Sequence, residues 1–180
     1  MILFPDNTVL INFAHIDRMD LLAQIVGDRG SWCQTVSEEC DRHSARHDLP
    51  QMTQAHEIFG VPLVPADRRE HVTVQRYRDM LRSAGQGLTH NLGEAETLAL
   101  IECRGLAAVL VTDDGPVGRL DLGGTPAITG TWGLLRMAYR MQLVSDDELW
   151  SYSRTLHREE RHTPPTGPFD RGKFNEWLRS

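Results

Sequence analysis

Carboxylates stand at four places in this chain where one element ends or another begins. Asp6 follows a short apolar run, Glu38 and Glu39 lie just after Ser37, Glu94 and Glu96 open the stretch GEAETLALI, and Asp113 and Asp114 close VLVTDD. Acids gathered in one place repel, and each raises the pKa of the others until a cation neutralises them. An all-oxygen donor set of this kind favours Mg²⁺ or Mn²⁺. A divalent ion held this way activates water and steadies a leaving oxygen, which is the chemistry of phosphodiester hydrolysis. Taken singly, the same residues read as helix caps and turn acids. The case for a metal rests on all four meeting at one edge.

The elements that would bring them there can be read from pattern. Ile2 to Phe4 is a strand-type run ended by Pro5 and Asp6. The apolar residues from Val9 to Ala14 lead into a helix capped near Asp17 or Asp20. Trp32 to Val36 reads as a brief strand, with a helix beginning at Ser37. Thr73 to Ser83 is an amphipathic helix with Val74, Tyr77, Met80 and Leu81 on one face. Gly85 and Gly87 follow it. Glu94 to Gly105 is the best helix in the chain, opening on acids and stopping at glycine. Ala107 to Thr112 is a continuous apolar run, as a central parallel strand reads when both faces are covered. Gly118 to Leu122 suggests a helical turn, Pro126 to Thr129 another strand, and Gly130 to Met141 a further helix. Alternation of strand and helix predicts an α/β fold, a three-layer α/β/α sandwich around a central parallel sheet. In such a sheet, strand C-termini and the following helix N-termini share the edge where ligand sites lie.

The chain has 180 residues, with 19 Lys+Arg against 25 Asp+Glu and a net charge of -6. Binding nucleic acid by bulk positive charge is therefore excluded, whereas a local basic patch is not. A domain over 1–146 is expected, followed by a helical, partly flexible appendage over 147–180 with a TPPTGP linker. Cys33, Cys40 and Cys103 form no CxxC pair, which argues against a disulfide framework or a structural zinc site. His43, His47 and His56 fit no metal motif and read as surface. No run approaches the roughly 18 apolar residues of a membrane span and no basic leader is visible, so a cytoplasmic protein without membrane attachment is expected.

Five segments in order, DNTVLINFAHIDRMDLL, VSEEC, NLGEAETLALI, VLVTDDG and ITGTWGLLRMAYRMQLV, resemble the PIN domain family. The likeness is to the branch close to the VapC toxins of toxin–antitoxin pairs, and it covers roughly 1–146. GEAE resembles the signature helix of one uncharacterised branch. The resemblance implies an endoribonuclease dependent on Mg²⁺ or Mn²⁺, a homodimer, and an antitoxin protein that silences it. Carried onto this chain, it implies Asp6, Glu39, Glu94 and Asp114 as catalytic metal ligands. Asp113 is the rival of Asp114, and Glu38 the rival of Glu39. Thr8, Glu96 and Thr112 would support them, with Asn7 and Asn12 as further contributors. Many family members have Asp where Glu94 stands.

For gripping the RNA backbone, Arg76, Arg78 and Arg82 are the candidates, or Arg136 and Arg140 one turn apart on the last helix of the domain. Trp132 would pack in the core or stack on a base. A phosphatase built on an aspartyl nucleophile needs a second acid two positions after Asp6, where Thr8 stands. No Gly-rich phosphate loop follows the first strand. The remaining alternative is a PIN-like module that binds RNA or protein with weak or no nuclease activity.

Overall fold

The computed structural model describes residues 1–46, 48–82, 91–115, 117, 126–161 and 170–180. The expected features at His47, Gly85 and Gly87, the 118–122 turn and the TPPTGP linker lie outside the described residues. Three short strands, β1 (Ile2–Pro5), β2 (Ala108–Val111) and β3 (Ala127–Thr129), form a parallel sheet in the order β1-β2-β3. Leu3 and Val109 join one hydrophobic core, with Val111, whereas Phe4, Ala108 and Leu110 join the other. This period-two alternation, apolar on both faces, is what a strand covered on both sides requires.

On one face lie α1 (Asn7–His15), α2 (Met19–Val26), α3 (Gln34–Arg46), α4 (Ala55–Phe59) and α7 (Thr131–Arg140). On the other lie α5 (Arg68–Leu81) and α6 (Leu92–Arg104). The molecule is thus a three-layer α/β/α sandwich with a central parallel sheet. α6 is buried continuously from Gly93 to Ile101, because α5, the sheet and α3 all cover it.

Two sequence readings change. Trp32 to Val36 is no strand: Cys33 makes one bridge to Leu63, and α3 begins at Gln34 rather than Ser37. The backbone N–H of Gln34 and the hydroxyl of Thr35 both donate to Glu96, a long-range cap that no local pattern encodes. The helix expected near Asp17 or Asp20 is α2, which starts at Met19, but the apolar residues before it form a separate helix, α1, with Asp6 as its N-cap.

After Ser145, which forms a capping box with Glu148, come α8 (Asp146–Arg158) and α9 (Arg171–Arg179). Leu149, Tyr152, Leu156, Phe174 and Leu178 belong to the same core as α1 and α2. Trp132 is buried against Phe174 and Trp177, so this indole packs α9 onto α7. Among the described residues no helix is long and apolar enough to cross a membrane.

Candidate metal centre

Parallel pairing of β1 with β2 sets the geometry. Pro5 is opposite Val111, and the Asp6 N–H donates to the Val111 carbonyl at 2.7 Å. Asp6 therefore leaves the sheet at the same edge as the Thr112–Asp113–Asp114 segment. Asp6 has extended backbone and is the N-cap of α1. Its Oδ2 accepts from the Thr8 N–H at 3.1 Å and from the Thr8 hydroxyl at 2.7 Å. Asp114 is held by a turn in which its N–H donates to Thr112 Oγ1 at 3.1 Å. Glu94 comes in from the first turn of α6. Carboxylate oxygens of Asp6, Glu94 and Asp114 lie within 4.8 Å of one another.

Glu39 flanks this group. A Cβ added to Gly93 would lie 3.6 Å from both Asp6 Oδ1 and Glu39 Oε2, and 2.8 Å from Val36 Cγ2. Glycine at 93 thus lets α6 approach α3 closely and leaves open the space between these two carboxylates. The neighbouring Glu38 is exposed and pairs with Gln34 on its own helix. Glu96 caps α3 from α6, which fixes the helix that carries Glu39. His43 Nδ1 lies 2.9 Å from Asn7 Nδ2 and 3.0 Å from the Glu39 carbonyl oxygen, tying α3 to α1.

Asp113 has a different job. Its Oδ1 accepts from the Thr131 N–H at 2.9 Å, and its Oδ2 accepts from Asn12 Nδ2 at 2.8 Å and from the Thr131 hydroxyl. Negative charge is thereby set at the N-terminus of α7. A Cβ at Gly130 would come within 2.3 Å of Asp113 Oδ1, so only glycine permits this contact. The acid pair after β2 divides, with Asp113 holding α7 and Asp114 facing Asp6 and Glu94.

Burial and mutual repulsion dominate the electrostatics. Burial, then the Asp6 charge, pushes Glu94 up to about 9, and its proximity to Asp114 adds to the rise. Glu39 is raised to about 7, mostly by burial and then by Asp6, against the opposing charge of Arg42. Asp6 is raised by burial in spite of the Thr8 hydrogen bonds. Glu94 Oε1 is buried with no hydrogen-bond partner. Buried acceptor atoms without partners are costly, and this one sits in a group of hard oxygen donors. The residues present therefore fit a divalent cation, whose binding would displace the protons that burial retains.

The arginines expected to hold RNA fall into two groups. Arg76 pairs with Glu102 and stacks on Tyr77, and Arg136 lies over Trp177 and donates to its carbonyl. Arg78 donates to Gln75 on its own helix. Arg82 and Arg140 are exposed. Arg161, which is not among these candidates, feels the charges of Asp113, Asp114 and Asp6. Nothing local in its sequence signals this, because it arrives from the end of α8.

A small α/β domain with a central parallel sheet and three carboxylates converging at one edge of it describes the molecule. No family model, curated protein or solved structure matches the chain.

Proposed function

We propose that this protein is a metal-dependent endoribonuclease of PIN type, acting with Mg²⁺ or Mn²⁺ as the toxin of a toxin–antitoxin pair. The observation that carries the reading is the meeting of Asp6, Glu94 and Asp114 within 4.8 Å, with a buried Glu94 oxygen left unpaired. Asp6, Glu94 and Asp114 would hold the ion, with Glu39 beside them as a further ligand or as an acceptor for bound water. When bound, a divalent ion supplies Lewis acidity toward water and toward a phosphate oxygen. Thr8 keeps the Asp6 carboxylate in one orientation, and Thr112 does the same for Asp114 through the backbone. Glu39, flanking the group from α3, would accept a proton from attacking water. Arg82 and Arg140 are the exposed candidates for more distant backbone contacts. An antitoxin and a second copy of the chain are the proposed protein partners.

Partner-free protein is to be incubated with a broad RNA pool in Mg²⁺, Mn²⁺ or EDTA, beside Asp6→Asn. Cleavage that needs metal and vanishes in the variant is the expected result. Folded protein that leaves every RNA intact under all three conditions would replace this reading with the binding module.

A further inference from the structure

The chain reverses at the end of α8 in a way that aims one side chain. Glu160 takes the left-handed conformation (φ 52°). The Arg161 N–H returns to the Leu156 carbonyl at 2.8 Å, and the Glu160 N–H to that of His157 at 3.1 Å. These two bonds with that φ form a Schellman turn. The residue after the left-handed position usually places an apolar side chain on the helix, and here it is an arginine. Its Nε donates to Asn12 Oδ1 at 2.8 Å, and its Nη2 to the Thr8 carbonyl at 3.3 Å. Asn12 is fully buried, and its amide nitrogen bonds Asp113 Oδ2 at 2.8 Å and Thr131 Oγ1 at 3.0 Å. The guanidinium is thus mounted on a rigid network that also positions Asp113 and α7.

Two features set this arginine apart from a structural pin. Among the described residues it forms no ion pair, although Asp113, Asp114 and Asp6 are all near enough for their charges to act on it. Its Nη1 makes no hydrogen bond among the described residues, so one edge of the planar fork is unpartnered beside the acidic group. A partly desolvated cation near carboxylates that it does not pair with is suited to a mobile anion. Guanidinium geometry matches phosphate oxygens particularly well.

We propose that Arg161, mounted on Asn12, is a substrate-binding residue that takes a non-bridging oxygen of an RNA phosphate next to the Asp6–Glu94–Asp114 group. This rests on the metal-centre reading for the identity of the substrate. It adds a cation that belongs to the chain and lies beyond the segment resembling a nuclease. In the metal-free protein the same charge offsets part of the repulsion among the acids.

The test compares wild type, Arg161→Gln and Arg161→Lys. Gln retains a donor for Asn12 Oδ1 but has no charge, and Lys retains the charge without the fork. Affinity for a short randomised RNA is read by fluorescence anisotropy in Ca²⁺, which fills oxygen sites, across a salt series. Mn²⁺ affinity is read separately by titration, with Asp6→Asn as its control. Arg161→Gln should bind RNA about tenfold or more weakly, as expected for a charge-assisted hydrogen bond. Its plot of log affinity against log salt should be shallower by about 0.7, the contribution of one contact to single-stranded nucleic acid. Lys should fall between, and Mn²⁺ affinity should be unchanged or tighter in both variants. For Arg161→Gln, RNA affinity within about twofold of wild type or a loss with an unchanged salt slope overturns the proposal, as does a wild type that does not bind RNA. Should Arg161→Gln fail to fold, Arg161→Lys carries the comparison: weaker RNA binding at a wild-type salt slope supports the proposal, and affinity within about twofold of wild type overturns it. Mn²⁺ binding indifferent to Asp6→Asn, together with RNA binding that depends on Arg161, would remove the metal reading and leave this one standing.

Discussion

Replacing Glu94 with Gln in the metal-free protein tests the electrostatics of the site directly. Glu94 is 4 % exposed, and burial with two acidic neighbours lifts its carboxyl from 4.5 to about 9. Between those values the folded chain holds a proton that the unfolded chain has released. Stability from this group is therefore complete below its unfolded value and is lost as pH rises through the folded one. The loss is about 1.4 kcal/mol for each pH unit. Glu39, raised to about 7, acts with the same sign over the lower part of the window. Glutamine does not titrate, so Glu94→Gln lacks the Glu94 contribution while sharing every other. Urea denaturation in EDTA at about pH 6, 7 and 8 should show wild type losing about 3 kcal/mol more than the variant across that range. In a thermal melt this amounts to roughly 6–12 °C for a chain of this size. Mn²⁺ at about a hundred times its Kd should then restore about 2.7 kcal/mol to wild type. At a fixed Mn²⁺ concentration that gain should grow with pH, because the ionised carboxylates are the ligands. Parallel stability curves for the two proteins in EDTA would refute the reasoning, since Glu94 would then be ordinarily ionised in the folded state.

Three further outcomes are expected. Thr8→Val removes both hydroxyl-dependent restraint and desolvation matching at Asp6, and Mn²⁺ affinity should fall about 10–100-fold with the melting temperature little changed. Asp113→Asn and Asp114→Asn should separate: the first lowers thermal stability by about 1 kcal/mol or more through the start of α7, whereas the second chiefly lowers Mn²⁺ affinity, as calorimetry on both will show. Gly93→Ala places a methyl 2.8 Å from Val36 Cγ2 and between Asp6 and Glu39. A stability loss of about 1–3 kcal/mol is expected from overpacking, with weakened Mn²⁺ binding, and a variant of wild-type stability and affinity would show that α6 and α3 have room there.

Much of the scaffold was legible from residue order alone. A run such as AVLV can lie only where both faces are covered, and acids at its end and after ILFP can lie only at one edge if the two strands are parallel. GEAETLALIECRG carried its own start and stop, and Asp6, Glu94 and the Asp113–Asp114 pair stood out as candidates at the ends of those elements. The tertiary structure decided what sequence spacing leaves open. Side-chain direction separated Glu39 from Glu38, and hydrogen bonding to Asn12 and Thr131 separated Asp113 from Asp114, because adjacent residues differ only in what the fold places before them. Glu96 became the cap of α3 across 62 residues of chain, turning an expected strand into a helix. Arg161 reached Asn12 across 149 residues. Local pattern encodes periodicity, caps and turns, since those depend on near neighbours. Contacts between distant segments depend on how closed layers fit together, and it is there that a charge at the end of α8 comes to lie beside acids that follow β1 and β2.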